Sequence, residues 1–527
     1  MVTKNNKVIT FTNIVCIAAL VLISIRLTNT ISIHWDIIAA DELSYLKFGK
    51  KLFGEIHFDW GFAYNLWYKF LSLFQYNTVD LYYFNYKVLI ALIPLLLFIC
   101  LLVYDINTII AFIFSYLYLI SKLHITTWPF VSDFCILIML CFFITIRFIK
   151  DIGWKSIILT VFSILLYLVR PEYIIAFIIA LCLSIYLNIN NKKRWFLLLP
   201  MLAIILFVGD KTTKLIGIDR ALFAYAQHYF VTYKIWNKGV ALDIYQYLEL
   251  APKIFGKSYT LIGSIIYNPL VAIKHVVTCF VFYIIILIKS TEDFLLPSIW
   301  LQPLGKIRHL IFFCIIVFGV FAYRKYKSDN SLKDDKFLLL SIIVLFIAAM
   351  IPNFLIGYNP HYLQLHFILF ILLFSKLLFS KFIISCKKWI LVLLCIVTVV
   401  FVPKINKYPF QQVDYTESKN LPVQKLATIL NELNDNKKHC LLAYQTNIHF
   451  IVEGNNFTGI DVFSITKPFI QFIIENKVDF IYINEQFKND VKLNKDKEWK
   501  QFISNPENYN FVKKEIQNSK NYLLIKK

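Results

Sequence analysis

The stretch "YKVLIALIPLLLFICLLVY", Tyr86 to Tyr104, carries a single charge, Lys87, in 19 residues. A helix needs about 20 apolar residues to cross roughly 30 Å of hydrocarbon, and in that solvent its backbone groups must be satisfied within the segment. Runs of the same kind recur near 9–27, 106–120, 131–149, 154–169, 172–188, 195–209, 309–323, 337–356, 364–380 and 388–402. Of the 527 residues, 58% are hydrophobic and 17% charged, with a mean hydropathy of +0.63. Soluble domains are nearer half apolar and a quarter charged. The sequence therefore predicts a polytopic α-helical membrane protein with about 11–13 transmembrane helices over residues 1–402. The first run lacks a small-residue cleavage site and reads as a retained span, not a signal peptide.

The formal net charge of +21 does not signal nucleic acid, because the basic residues gather in short connections between apolar runs. Lys4 and Lys7; Arg147, Lys150 and Lys155; "NNKKR" at 190–194; "YRKYK" at 323–327; and Lys381, Lys387 and Lys388 all fall on one side if the runs alternate. Placing that side in the cytoplasm puts the first loop (28–85), the 121–130 loop, "VRPEY", a long segment at 210–308, "NPHYLQL" and everything after 403 on the outer face of the plasma (inner) membrane. One stretch resists this order. "VAIKHVVTCFVFYIIILIK" (271–289) is apolar enough to span, yet one crossing there would reverse "YRKYK". It is expected either to lie in the interface as an amphipathic or re-entrant helix, the favoured reading because of Lys274 and His275, or to pair with a second crossing around 258–272.

Beyond 403 the composition turns to Lys, Asn, Asp and Glu. "VQKLATILNELND" has helical apolar spacing and "HCLLAY" reads as a strand; "KPFIQFIIEN" and "KVDFIYIN" repeat that order, and "KNYLLIK" closes the chain as an expected edge strand. Residues 403–527 are thus a small extracytoplasmic α/β domain. The ten cysteines show neither a disulfide framework nor zinc spacing, and no GxGxxG or P-loop occurs.

Just after the first span, "IIAADELSYLKFGKKLFGE" (37–55) opens with Asp41 and Glu42. Acids suit the first turn of a helix, and Asp is a good N-cap. A carboxylate fixed at such a terminus is also positioned to act as a base, so the two roles are compatible. The spacing Asp41, Glu42, Tyr45, with Gly54 closing the short helix, resembles the first external loop of the GT-C superfamily of membrane glycosyltransferases, in particular the bacterial aminoarabinose-transferase and protein O-mannosyltransferase group. "FDWGFAYNLWYKFLSLF" (58–74) keeps that group's aromatic helix but lacks the prolines and the lysine that precede it.

The resemblance covers about residues 10–400 in order, spacing and topology, and implies a GT-C-like membrane domain. It maps the family's second acid onto Asp133 in "TWPFVSDFCILI", where Ser132 or Asp133 could equally open a helix as its cap. It maps the family's Arg-Pro turn onto "LVRPEY". An arginine at the lipid surface needs a partner, either a lipid-linked phosphate for Arg170 or an internal pair with Glu172 or Asp133. The family's late Arg-Tyr falls on His361 and Tyr362, with a histidine that is mostly neutral at pH 7. The implied activity is transfer of a sugar from a polyprenyl-phosphate donor to a glycan, lipid or protein acceptor on the outer face. Asp41 would serve as general base, Glu42 as orienting group, and Tyr45, Arg170, Glu172, His361 and Tyr362 as substrate contacts. A divalent cation, Mg²⁺ or Mn²⁺, between Asp41 and Asp133 is an optional cofactor, since the family differs in metal use. The rivals are an outer-face polysaccharide polymerase or ligase, a transporter or flippase, and a non-catalytic scaffold. A transporter would be expected to carry ionisable groups in mid-span, which these runs nearly lack.

Overall fold

The computed structural model describes the chain except residues 1–9, 39–40, 53–60, 127, 192, 195, 204–219, 238–251, 257–260, 302–303, 327–334, 358–359, 380–387, 406–407, 409–419, 436 and 455. Gly54, part of the long 210–308 segment and most of the flanking lysines assigned to the cytoplasmic side therefore lie outside the described residues. The membrane domain contains α1 (Phe11–Thr28), α2 (Asp41–Lys50), α3 (Phe62–Leu71), α4 (Thr78–Val103), α5 (Thr108–Ile120), α6 (Val131–Phe148), α7 (Ile152–Tyr167) and α8 (Ile174–Leu187). It continues with α9 (Arg220–Trp236), α10 (Pro269–Leu295), α11 (Lys306–Tyr326), α12 (Lys336–Ile351), α13 (Pro360–Phe379) and α14 (Lys388–Val400).

Every expected apolar run falls on a helix, with 195–209 described only as far as residue 203. Among the described residues, six helices are long and apolar enough to cross a membrane: Phe11–His34, Thr78–Val103, Val131–Phe148, Pro269–Leu295, Lys336–Phe354 and His361–Phe379. Four shorter apolar helices stand beside them, α5, α7, α14 and Pro171–Leu187. Their outward faces carry Leu22, Ile25, Ile178, Ile273, Val277 and Leu393, all exposed, which suits a lipid surround. Helix α4 begins at Thr78, two turns ahead of the expected 86, because Asn77 caps it by accepting from the N–H groups of Val79 (3.0 Å) and Asp80 (3.1 Å). Those extra turns carry Tyr82, Tyr83 and Asn85.

Ion pairs mark one end of the bundle. Arg147 lies 2.7 Å from Asp105 and 3.3 Å from Asp335, which also holds Lys376 at 2.8 Å, and Arg194 meets Asp151 at 2.8 Å. Asp133 is in the first turn of α6 and Arg147 in its last, so this candidate acid and this basic connection stand at opposite ends of one helix. Helix α10 has 27 residues, about 40 Å, but it touches the acidic end along much of its course. His275 accepts from or donates to Thr232 of α9 at 2.9 Å, Phe280 and Tyr283 pack on Phe354 just beyond α12, and Asp293 accepts from the N–H of Lys122 after α5. By length and apolarity the helix could also cross a membrane, so both alternatives for 271–289 stay open.

The C-terminal domain contains α15 (Pro422–Glu432), β1 (His439–Ala443), β2 (Phe457–Asp461), α16 (Phe469–Glu475), β3 (Phe480–Ile483), β4 (Phe511–Glu515) and β5 (Tyr522–Lys526). The sheet order is β2-β1-β3-β5-β4, with β1 parallel to β2 and β3, and β5 antiparallel to β3 and β4. "KNYLLIK" is therefore an interior strand and not the expected edge. Its outer neighbour β4, "FVKKE", carries little strand signal because paired lysines mask the alternation, and lysines on an edge strand discourage unwanted pairing. Side chains alternate along β1: Leu441 and Ala443 join the core that continues into the helical bundle, whereas Cys440 and Leu442 pack with Phe469, Ile481, Trp499 and Phe502 on the other face. None of the nine described cysteines forms a disulfide, although the sulfurs of Cys16 and Cys395 lie 3.9 Å apart.

Candidate active site

Helix α2 starts at Asp41, so the acid pair occupies its first turn, where acids oppose the helix dipole. Asp41 is exposed, and Glu42 is 3% exposed. Two glycines set how α2 meets its neighbours. A Cβ on Gly49 would lie 2.5 Å from Tyr68 Cβ and 2.7 Å from the Asn65 carbonyl oxygen, so α2 and α3 cross at backbone contact. Gly61, with φ +60°, turns the chain into α3 where a Cβ would fall 2.9 Å from the Tyr45 ring and 3.0 Å from the Val169 carbonyl. The Ala63 N–H then donates to Leu168 O at 3.1 Å, which ties the start of α3 to the turn bearing Arg170.

Glu42 is held by three donors on two other helices. Its Oε1 accepts from Tyr64 OH at 2.6 Å, from Tyr68 OH, and from Asn85 Nδ2 at 3.2 Å. Asn85 Nδ2 also reaches both tyrosine oxygens at 2.8 Å, and its Oδ1 accepts from Trp67 Nε1 at 2.8 Å, which fixes the amide orientation. Burial pushes the Glu42 carboxyl up to about 8 against the lowering effect of the two tyrosines, and the nearby charges of Asp133 and Asp41 push the same way. The ring of Tyr45 packs edge-on against Tyr64 at 5.3 Å.

Asp133 is buried at the start of α6, where its Oδ2 accepts from the Phe130 N–H at 3.1 Å and its Oδ1 has no hydrogen-bond partner among the described residues. It is thus the helix-capping acid of the sequence, with one lone-pair face to spare. Arg170 directs Nε to Glu172 Oε1 at 2.5 Å and Nη1 to Ser132 Oγ at 2.9 Å, and its guanidinium lies 4.6 Å from the ring centre of Tyr362. The internal Arg170–Glu172 pair is the one formed. His361 stacks on Phe130, with centroids 4.4 Å apart and planes 13° from parallel. Asp41 acts electrostatically on Tyr362, and Arg170 and His228 on His361, so α9 borders the site from the long 210–308 segment.

Asp41, Glu42, Tyr45, Asp133, Arg170, Glu172, His361 and Tyr362, spread over more than 300 positions of sequence, thus stand at one end of the bundle around α2 and the Arg170 turn. The fold adds Tyr64, Tyr68 and Asn85, which sequence alone did not single out, and gives Ser132, read there only as a possible helix cap, a contact with Arg170. The tyrosines were legible only as an aromatic helix, and Asn85 lay just before the expected start of its span. Among the described residues, no three His, Cys, Asp or Glu side chains group closely enough to cage a metal ion, so any cation at Asp41 and Asp133 would depend on water or substrate oxygens for its remaining ligands. No family model, curated protein or solved structure matches the chain.

Proposed function

We propose that this protein is an integral membrane glycosyltransferase of GT-C type, which moves a sugar from a polyprenyl-phosphate donor to a glycan, lipid or protein acceptor on the outer face of the plasma membrane. The observation that carries the proposal is the meeting of Asp41, Glu42 and Asp133 with Arg170 at helix termini on one end of an apolar bundle. A lipid-linked sugar phosphate places its reacting bond at the depth where such termini stand.

Burial divides the roles of the acid pair. Asp41, exposed, is the carboxylate that an incoming hydroxyl or amine can reach, and it serves as general base for inverting displacement at the anomeric carbon. Glu42, buried and held by three donors, fixes the first turn of α2 and so the position of Asp41. Arg170 compensates the charge that develops on the phosphate as the glycosidic bond breaks, with Glu172 and the Tyr362 ring orienting its guanidinium. Were a divalent cation bound, Asp41 and the spare oxygen of Asp133 would hold it, and its positive charge would compensate the leaving phosphate.

Reconstitution with a panel of polyprenyl-phosphate sugars, comparing wild type with Asp41→Asn at equal expression, tests the proposal. The variant is expected to lose about 10²–10⁴ in rate. Equal turnover by the two proteins would remove Asp41 from the mechanism.

A further inference from the structure

The C-terminal domain grips α2 at the end opposite the carboxylates. Lys47, buried, donates from Nζ to the carbonyls of Val452 (3.5 Å) and Gly454. Lys50 meets Glu453 Oε2 at 2.7 Å and also donates to Tyr76 O at 2.7 Å and Thr78 Oγ1 at 2.9 Å. The second oxygen of Glu453 accepts from the Thr78 N–H, the first residue of α4, at 2.5 Å. Phe48 packs edge-on to Phe450 at 5.9 Å. The gripping turn is itself held within its domain, since Glu453 N–H donates to Asn431 Oδ1 at 2.8 Å and Asn434 Nδ2 donates to Glu453 O at 3.2 Å.

A ten-residue helix is about 15 Å long and marginal alone, so its placement comes from what it touches. Gly49 seats α2 on α3, Glu42 pins its first turn, and the three-residue turn of the C-terminal domain pins its last. Burying the ammonium of Lys47 is costly unless its donors are satisfied, and among the described residues the acceptors are carbonyls of that turn. Lys51, Lys50 and Glu453 are the other charged groups that act on Lys47.

We propose that the turn Val452–Gly454 is a positioning clamp for α2, through which the C-terminal domain sets where Asp41 and Glu42 stand, with Lys47, Lys50 and Glu453 as positioning residues. The inference rests on the transferase reading of those carboxylates, but its structural half is measurable without turnover.

Hydrogen exchange on the full-length protein in lipid nanodiscs, followed on a peptide spanning α2, tests it with two variants. Glu453→Gln keeps an acceptor for the Thr78 N–H while removing the charge, and Lys47→Met keeps the aliphatic stem while removing the donor. Each is expected to speed exchange of α2 by about tenfold, leave β1 and β3 as in the wild type, and lower kcat while the donor KM holds. Lys50→Arg, which preserves the ion pair, is expected to behave as wild type. Unchanged exchange in α2, or faster exchange spread equally over β1 and β3, would overturn the clamp. If α2 loosens in both variants while the wild type turns over no polyprenyl-phosphate sugar of the panel, the clamp stands and the transferase reading fails. If α2 stays protected while Asp41→Asn is inactive, the clamp fails and the transferase reading stands.

Discussion

At the residue scale the informative group is Glu42, because its environment makes opposing demands. Three donors favour its charge and complete burial disfavours it, and burial wins by enough to lift the carboxyl from 4.5 to about 8. The folded state therefore retains a proton that the unfolded chain releases. The stabilisation linked to that proton is fully present below about pH 4.5 and is lost as pH rises through about 8. Glu42→Gln imitates the protonated carboxyl and keeps an oxygen for Tyr64, Tyr68 and Asn85. Thermal unfolding of the full chain in detergent should show this variant gaining on wild type between pH 5 and 9, with its own curve flatter. A parallel dependence in both proteins would show that Glu42 does not titrate in that window. Glu42→Ala strands three buried donors at about 1–3 kcal/mol each and is expected to be severely destabilising at every pH. None of this is visible in "DELSY", where an acid pair after a span looks solvated; the partners come from 22, 26 and 43 residues downstream.

Among elements, the crossing of α2 over α3 controls the site, and Gly49 permits it. Any added methyl meets backbone, which cannot swing aside as a side-chain tip can, so Gly49→Ala must part the helices. The displacement draws Tyr68 from Glu42 and is expected to cost about 1–3 kcal/mol, although alanine is the better helix former by roughly 1 kcal/mol. A lowered Tm checks the sign, and a raised one would mean that helix propensity decides and the contact is soft. Apolar run length and helix caps made the bundle legible from sequence, because spanning a bilayer imposes a length that the chain must display. The crossing was not legible. Close approach depends on which face of "ELSYLKFGKKLF" turns toward "FAYNLWYKFL", and neither segment has a sharp enough apolar stripe to say. Nor were β2 and β4 legible, since short, half-exposed strands carry little alternation and a glycine in "FTGID" and paired lysines in "FVKKE" blur what there is.

Across the whole molecule, the C-terminal domain is joined to the bundle by buried polar contacts as well as by continuous apolar packing. Asp36, just past the first span, caps α15 in place of a residue of that helix: its Oδ2 accepts from Val423 N–H at 2.8 Å and its Oδ1 from Gln424 N–H at 3.0 Å. Gln424 answers with its side chain on Ser32 O at 2.9 Å and Tyr83 OH at 2.5 Å. Leu421 precedes α15 with φ +52° and supplies no side-chain cap, so the helix relies on the other domain for its first N–H groups. Burial lifts the Asp36 carboxyl to about 7, in spite of the N–H groups that lower it, so the charge itself adds little and the acceptor atoms matter more. Two substitutions separate those contributions. Asp36→Asn keeps one acceptor oxygen and is expected to leave the protection of α15 against hydrogen exchange nearly intact. Asp36→Ala leaves both N–H groups unanswered, at about 1–2 kcal/mol, and should accelerate exchange in α15 about tenfold while the strands stay protected. Were Asn and Ala to behave alike, capping would not be what seats the domain, and the shared apolar core would have to hold it alone.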